Sequence, residues 1–205
     1  NEKIEKIWNI KSDKKRILFC GTYPIGTTNG YSKITYYLSK YLGLYEDIDL
    51  SIWGFQNYKQ TSQNIRTEIP KSVKILDPLQ IEKDNNHKGS GFGERFIGEH
   101  LKNNAYDIVI VFNDSMITSA LTANIINEMH KYKNKFKLIS YMDQVYMYQK
   151  PDYIKLLNDY YDGIIAFTDH WRDIAYKIGI KKDKPIYVFN HGFDDKLYFP
   201  VPKEY

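Results

Sequence analysis

The chain has 205 residues, of which 42% are hydrophobic and 16% aromatic, enough for one large α/β domain or two small ones with a sizeable core. A formal net charge of +4 is mild; it suits an acidic ligand such as a nucleotide diphosphate and argues against a dedicated nucleic-acid binder. The single cysteine, Cys20, excludes an internal disulfide and fits a reducing, cytoplasmic compartment, and the longest apolar runs, Ile108–Phe112 and Gly163–Phe167, are too short to span a bilayer.

Residues 1–15 are charged, with Ile4, Ile7, Trp8 and Ile10 spaced like one helical face, which reads as a linker or docking helix. Arg16–Cys20 is an apolar strand, and from Tyr31 to Leu42 the residues Ile34, Tyr37, Leu38, Tyr41 and Leu42 fall on one side of a helix. Asp49–Phe55 and Val73–Leu76 follow as strands. Gln80–Ser90 is polar and reads as a mobile loop, and Gly93–Asn103 as a helix. Asp107–Phe112 is apolar throughout, as a central parallel strand should be. After it, helices at Met116–Met129, Tyr153–Tyr160 and His170–Ile178 alternate with strands at Lys137–Met142, Gly163–Phe167 and Pro185–Phe189. The basic run Lys131–Lys137, interleaved with Tyr132 and Phe136, reads as a solvated helix end, with an anionic lipid surface or nucleic acid as rival partners. This alternation predicts an α/β, Rossmann-like three-layer sandwich with a mostly parallel sheet, extending over residues 16–200.

Between the first strand and the first helix lies the glycine-dense turn Gly21-Thr-Tyr-Pro-Ile-Gly26-Thr-Thr-Asn-Gly30. Glycine admits a close ligand, and open N–H groups at a helix start face negative charge, so Asn29, Gly30 and Tyr31 are candidates for a phosphate-bearing ligand, with a plain turn as the alternative. Ligands of parallel sheets collect at the C-terminal strand ends. That rim should gather this turn with Asn113, Asp114, Asp143, Gln144, Thr168, Asp169, Asn190 and His191. The carboxylate and amide groups of Asn113, Asp114 and Asp143 suit sugar hydroxyls, and equally suit helix caps. The five histidines, His87, His100, His130, His170 and His191, show no metal-ligand spacing, so neither a structural metal nor a cofactor is expected. Gly89-Ser-Gly91-Phe-Gly93 lacks dinucleotide-fingerprint spacing and reads as a flexible loop entering a helix.

Three segments make the chain resemble the N-terminal half of a family 4 retaining glycosyltransferase of the GT-B fold. They are Arg16–Gly21 with Asn29-Gly30-Tyr31-Ser32 and the helix after it, Asp107–Asp114 with Lys137–Gln144, and Val188-Phe-Asn190-His-Gly192-Phe-Asp194 closed by Phe199-Pro200. The resemblance implies transfer of a hexose-type sugar from a nucleotide sugar to a glycan, lipid or protein acceptor, with retention of configuration. It also implies that residues 201–205 begin a linker to an absent donor-binding domain, which carries the family's paired-glutamate signature. The family often has a histidine where this chain reads Ser140-Tyr-Met-Asp143, so Asp143 or Gln144 would have to serve the sugar there or the role is lost; Asp143 is the catalytic candidate, with Thr28, Asn113, Asp114, Gln144 and His191 on the substrate side. The rival readings are a non-catalytic Rossmann-like binding or interaction module and a GT-B enzyme that glycosylates nucleic acid.

Overall fold

The computed structural model describes residues 8–9, 11–25, 29–58, 66, 68–129, 136–143, 147–192 and 200. Residues 1–7, 10, 26–28, 59–65, 67, 130–135, 144–146, 193–199 and 201–205 fall outside them, and with them Thr28, Gln144, most of the basic run and the end of the third family-like segment.

In chain order the described elements are β1 (Lys15–Thr22), α1 (Gly30–Leu42), β2 (Ile48–Phe55), β3 (Lys74–Leu76), α2 (Pro78–Asp84), α3 (Ile97–Asn103) and β4 (Ile108–Asn113). They continue with α4 (Ser115–Met129), β5 (Lys137–Met142), α5 (Pro151–Tyr160), β6 (Gly163–Ala166), α6 (Asp169–Lys177) and β7 (Ile186–Val188). The seven strands form one sheet in the order β3-β2-β1-β4-β5-β6-β7, every described pairing parallel. The fold is therefore the α/β, Rossmann-like sandwich that the alternation predicts, with a wholly parallel sheet where a mostly parallel one was expected. No helix among the described residues is long and apolar enough to cross a membrane.

One sheet face carries a core of Leu18, Cys20, Trp53, Val109, Val111, Leu138 and Ile164 under α3, α4 and α5, and Trp8 stacks on Phe136 at its margin. The opposite face carries Ile17, Phe19, Leu50, Ile52, Phe112 and Tyr141, with Ile34, Leu38 and Leu42 of α1 packed over them. The apolar face expected of α1 is only half the account. Its buried positions are Ser32, Thr35, Tyr36 and Ser39, while Tyr41 is exposed. The cause is close approach. A Cβ added to Gly21 would lie 2.6 Å from the Phe19 ring and 2.8 Å from Thr35 Oγ1, so glycine on β1 and hydroxyl residues on α1 let the helix sit low on the sheet. Those hydroxyls stay satisfied inside the helix, Thr35 Oγ1 donating to Tyr31 O at 3.1 Å and Ser39 Oγ to Thr35 O at 2.7 Å.

The segment read as a mobile loop over Gln80–Ser90 opens instead as a helix, α2. Asp77 caps Gln80 N and Pro78 stands in the first turn, a start signal that outweighs the polar composition after it. The Gly89–Gly93 loop is also anchored. Both oxygens of the buried Glu82 carboxylate accept amides, from Gly91 and Gly93, each at 2.8 Å. Trp53 Nε1 donates to Phe92 O at 2.9 Å. Helix α3 then starts at Ile97 rather than Gly93, because Gly91 and Gly93 occupy positive φ.

His100 on α3 is packed between Trp53 and Tyr106, with Nε2 2.8 Å from the Tyr106 hydroxyl. Burial pushes its pKa down from 6.5 to about 4. A lowered base binds its proton in the unfolded chain before it does in the native one. Its stabilising share is therefore complete above pH 6.5 and is lost as pH falls toward 4, at about 1.4 kcal/mol for each pH unit. Chemical denaturation of wild type and His100→Gln at pH 7 and pH 4.5 should show a shallower acid loss in the variant; equal losses would place the acid sensitivity elsewhere.

Candidate functional site

Because all strands are parallel, their C-terminal ends share one edge, and the starts of α1, α4, α5 and α6 share it too. Chain order along the sheet reverses between β1 and β4, which opens a crevice at that switch point. Register sets what lies beside it. Asn113 on β4 is opposite Met142 on β5, so the next residues, Asp114 and Asp143, emerge side by side.

At the start of α1, Asn29 Oδ1 accepts the Ser32 amide at 2.8 Å, which caps the helix. Among the described residues the Gly30 and Tyr31 amides have no hydrogen-bond partner. Among the described residues a Cβ added to Gly30 would meet nothing within 4 Å, so this position is open. Arg66 comes alongside, its Nη1 donating to Ser32 Oγ at 2.5 Å and its guanidinium 6.0 Å from the Tyr36 ring centre.

Across the crevice, the Tyr31 hydroxyl donates to Asp143 Oδ2. Burial first, then this hydrogen bond and the charges of Asp143 and Asp114, hold the phenol pKa well above the ordinary tyrosine range, so the proton stays on Tyr31. The Tyr31 ring leans on Phe112 (5.3 Å between centroids), and Phe112 leans on Tyr141 (4.8 Å). His191 arrives from beyond β7. Its Nε2 is 2.8 Å from the Tyr141 hydroxyl, a hydrogen bond whose direction follows the imidazole tautomer, and its ring lies 4.1 Å from that of Phe167. Burial lowers the His191 pKa and the Asp143 charge opposes it, with burial the larger effect.

Asn113 and Asp114 do mainly backbone work. Asn113 is buried, and its Oδ1 accepts the Asp114 amide at 2.9 Å. Asp114 Oδ1 accepts from Met116 N and Ile117 N, at 2.9 and 3.0 Å, and so caps α4. The structure thus brings together Tyr31, Asp114, Asp143 and His191, with Asn29 and Gly30 at the crevice edge. Thr28 and Gln144 lie outside the described residues.

Sequence reasoning assigned Tyr31 a backbone amide only and passed over Arg66, Tyr141 and Phe167. One signal was available: side chains lean toward the helix N-terminus, so a tyrosine at the second helical position reaches back over the rim. Two surface depressions, of about 330 and 270 Å³, flank α5 and the N-terminal strand edge; neither is lined by Tyr31, Asp143 or His191. Among the described residues no group of three or more His, Cys, Asp or Glu side chains is placed to hold a cation.

No family model matches the chain, and no curated protein sequence matches it. Among solved structures, it is similar to Anabaena Alr3699/HepE in complex with UDP-glucose, at a TM-score of 0.50 and 12% identity, over 91% of this chain. The chain spans about half, 46%, of that structure's length. At this identity the likeness speaks for the fold.

Proposed function

We propose that this chain is the acceptor-side, Rossmann-like domain of a nucleotide-sugar-dependent glycosyltransferase of the GT-B type, similar to the family 4 retaining enzymes. One observation carries the reading. Tyr31, Asp114, Asp143 and His191, from four separate junctions, meet at the switch point of a parallel sheet beside open helix amides. A fold neighbour solved with UDP-glucose supports a nucleotide sugar as the ligand class.

Glycosyl transfer needs a stabilised diphosphate leaving group and an aligned acceptor hydroxyl. In this reading the Gly30 and Tyr31 amides, with Arg66, face the leaving diphosphate, and a second domain supplies most other donor contacts. Asp143 receives the acceptor hydroxyl, His191 borders the sugar, and Asp114 offers the oxygen not engaged in its cap. The acceptor is a glycan, lipid or protein.

The test is calorimetric titration of the full-length protein with UDP, UDP-glucose and other nucleotide sugars, followed by a hydrolysis and transfer screen. Micromolar to millimolar binding that weakens with salt, with release of free nucleotide on turnover, is expected. Binding without turnover under any acceptor would favour a non-catalytic module, and no binding of any nucleotide would end the reading.

A further inference from the structure

We propose that Tyr31 is a positioning residue that ties the donor end of the crevice to the acceptor carboxylate: its phenol holds Asp143 in place while its own backbone amide faces the leaving diphosphate. The inference rests on the nucleotide-sugar reading and goes beyond it by coupling two sites within one residue.

The geometry is specific. Tyr31 is the second residue of α1, and its amide is open among the described residues. Its hydroxyl donates to Asp143 Oδ2, a bond between groups 112 residues apart in sequence. The ring has little freedom to let go, since Phe112 packs against it and is itself 1% exposed. The same aromatic run continues through Tyr141 to His191, so Asp143 is bordered by a fixed phenol and by an imidazole that feels its charge. A carboxylate at a strand end, followed directly by a loop, has rotamers to choose from; one donated hydrogen bond selects among them and leaves Oδ1 to the acceptor. An anion drawn to the Tyr31 amide shifts the first turn of α1 by a fraction of an ångström, and the rigid ring carries that shift to Asp143. Donor binding thereby sets the acceptor carboxylate.

The experiment uses the full-length protein with Tyr31→Phe, Asp143→Asn and the pair. Phenylalanine keeps the ring against Phe112 and the backbone amide, and removes only the hydroxyl. Tyr31→Phe should hold UDP affinity within about threefold and lower kcat about 10- to 100-fold, with donor KM little changed. Added to Asp143→Asn it should cost nothing more, because both act through one carboxylate. The carboxyl ¹³C resonance of Asp143 should move when UDP saturates the wild type and stay still in Tyr31→Phe. An unchanged kcat, losses that multiply in the pair, or an Asp143 resonance that ignores UDP in the wild type would each overturn the inference while leaving the nucleotide reading standing. A wild type to which UDP does not bind removes both.

Discussion

Glu82→Ala should destabilise the chain by about 3–5 kcal/mol, a large fraction of a typical domain's stability. Glu82 is 1% exposed and receives two amide donors, from Gly91 and Gly93, each at 2.8 Å. Hydrogen bonds to a charged group are worth about 1.5–3 kcal/mol each, and alanine would leave both amides buried without a partner. A Cβ at Gly89 would already collide with the carboxylate at 2.3 Å, and one at Gly93 would sit 2.6 Å from Pro78, so the loop has formed around this side chain. Glu82→Gln is the informative companion. It keeps one acceptor oxygen and turns an NH₂ against the other amide, so it should cost roughly half as much. Urea denaturation of the three proteins measures both. A loss below about 1 kcal/mol for alanine would mean that the glycine loop is held mainly by its other hydrogen bonds, Gln56 N to Gly91 O at 2.7 Å, the Tyr58 hydroxyl to Ser90 O at 2.8 Å and Trp53 Nε1 to Phe92 O at 2.9 Å.

The strand and helix alternation was legible because the sheet is buried on both faces, so that β4 reads as a continuous apolar run and β5 as a mostly apolar one broken by Ser140, with ends close to Ile108–Asn113 and Lys137–Met142. What composition concealed was local and polar. Helix α2 begins with Asp77-Pro78, but its charged body, Glu82-Lys-Asp84, looks like loop. The buried stripe of α1 is hydroxylic because Gly21 allows contact too close for larger side chains, and hydrophobic periodicity cannot report a stripe made of serine and threonine. The rim itself was legible as a set of strand ends. Its pairings were not, since Tyr31 with Asp143 and Tyr141 with His191 depend on strand order and register, which no local pattern encodes. Arg66 was hidden for the same reason: it sits in a stretch without periodicity and gains meaning only from the helix end it approaches.

Gly30→Val should weaken UDP binding by more than about 100-fold in the full-length protein, and Gly30→Ala by about 10-fold, with neither costing stability beyond about 0.5 kcal/mol. The two effects separate because, among the described residues, a Cβ at Gly30 meets no atom within 4 Å, so α1 has room for it. Alanine at this first helical position should even stabilise α1 slightly, as glycine is the poorer helix former. A bound anion changes the balance. Side chains on a helix tilt toward its N-terminus, which is where an oxygen accepting from the Gly30 and Tyr31 amides must lie. A methyl group there pushes the oxygen off one donor, and the branched valine covers both. Affinity should therefore fall in the order glycine, alanine, valine while the melting temperature holds level or rises. That opposition is the signature of a position kept open for a ligand. Equal UDP affinity in all three proteins would show that the diphosphate lies elsewhere along the rim, and Gly30 would then be only the start of a helix.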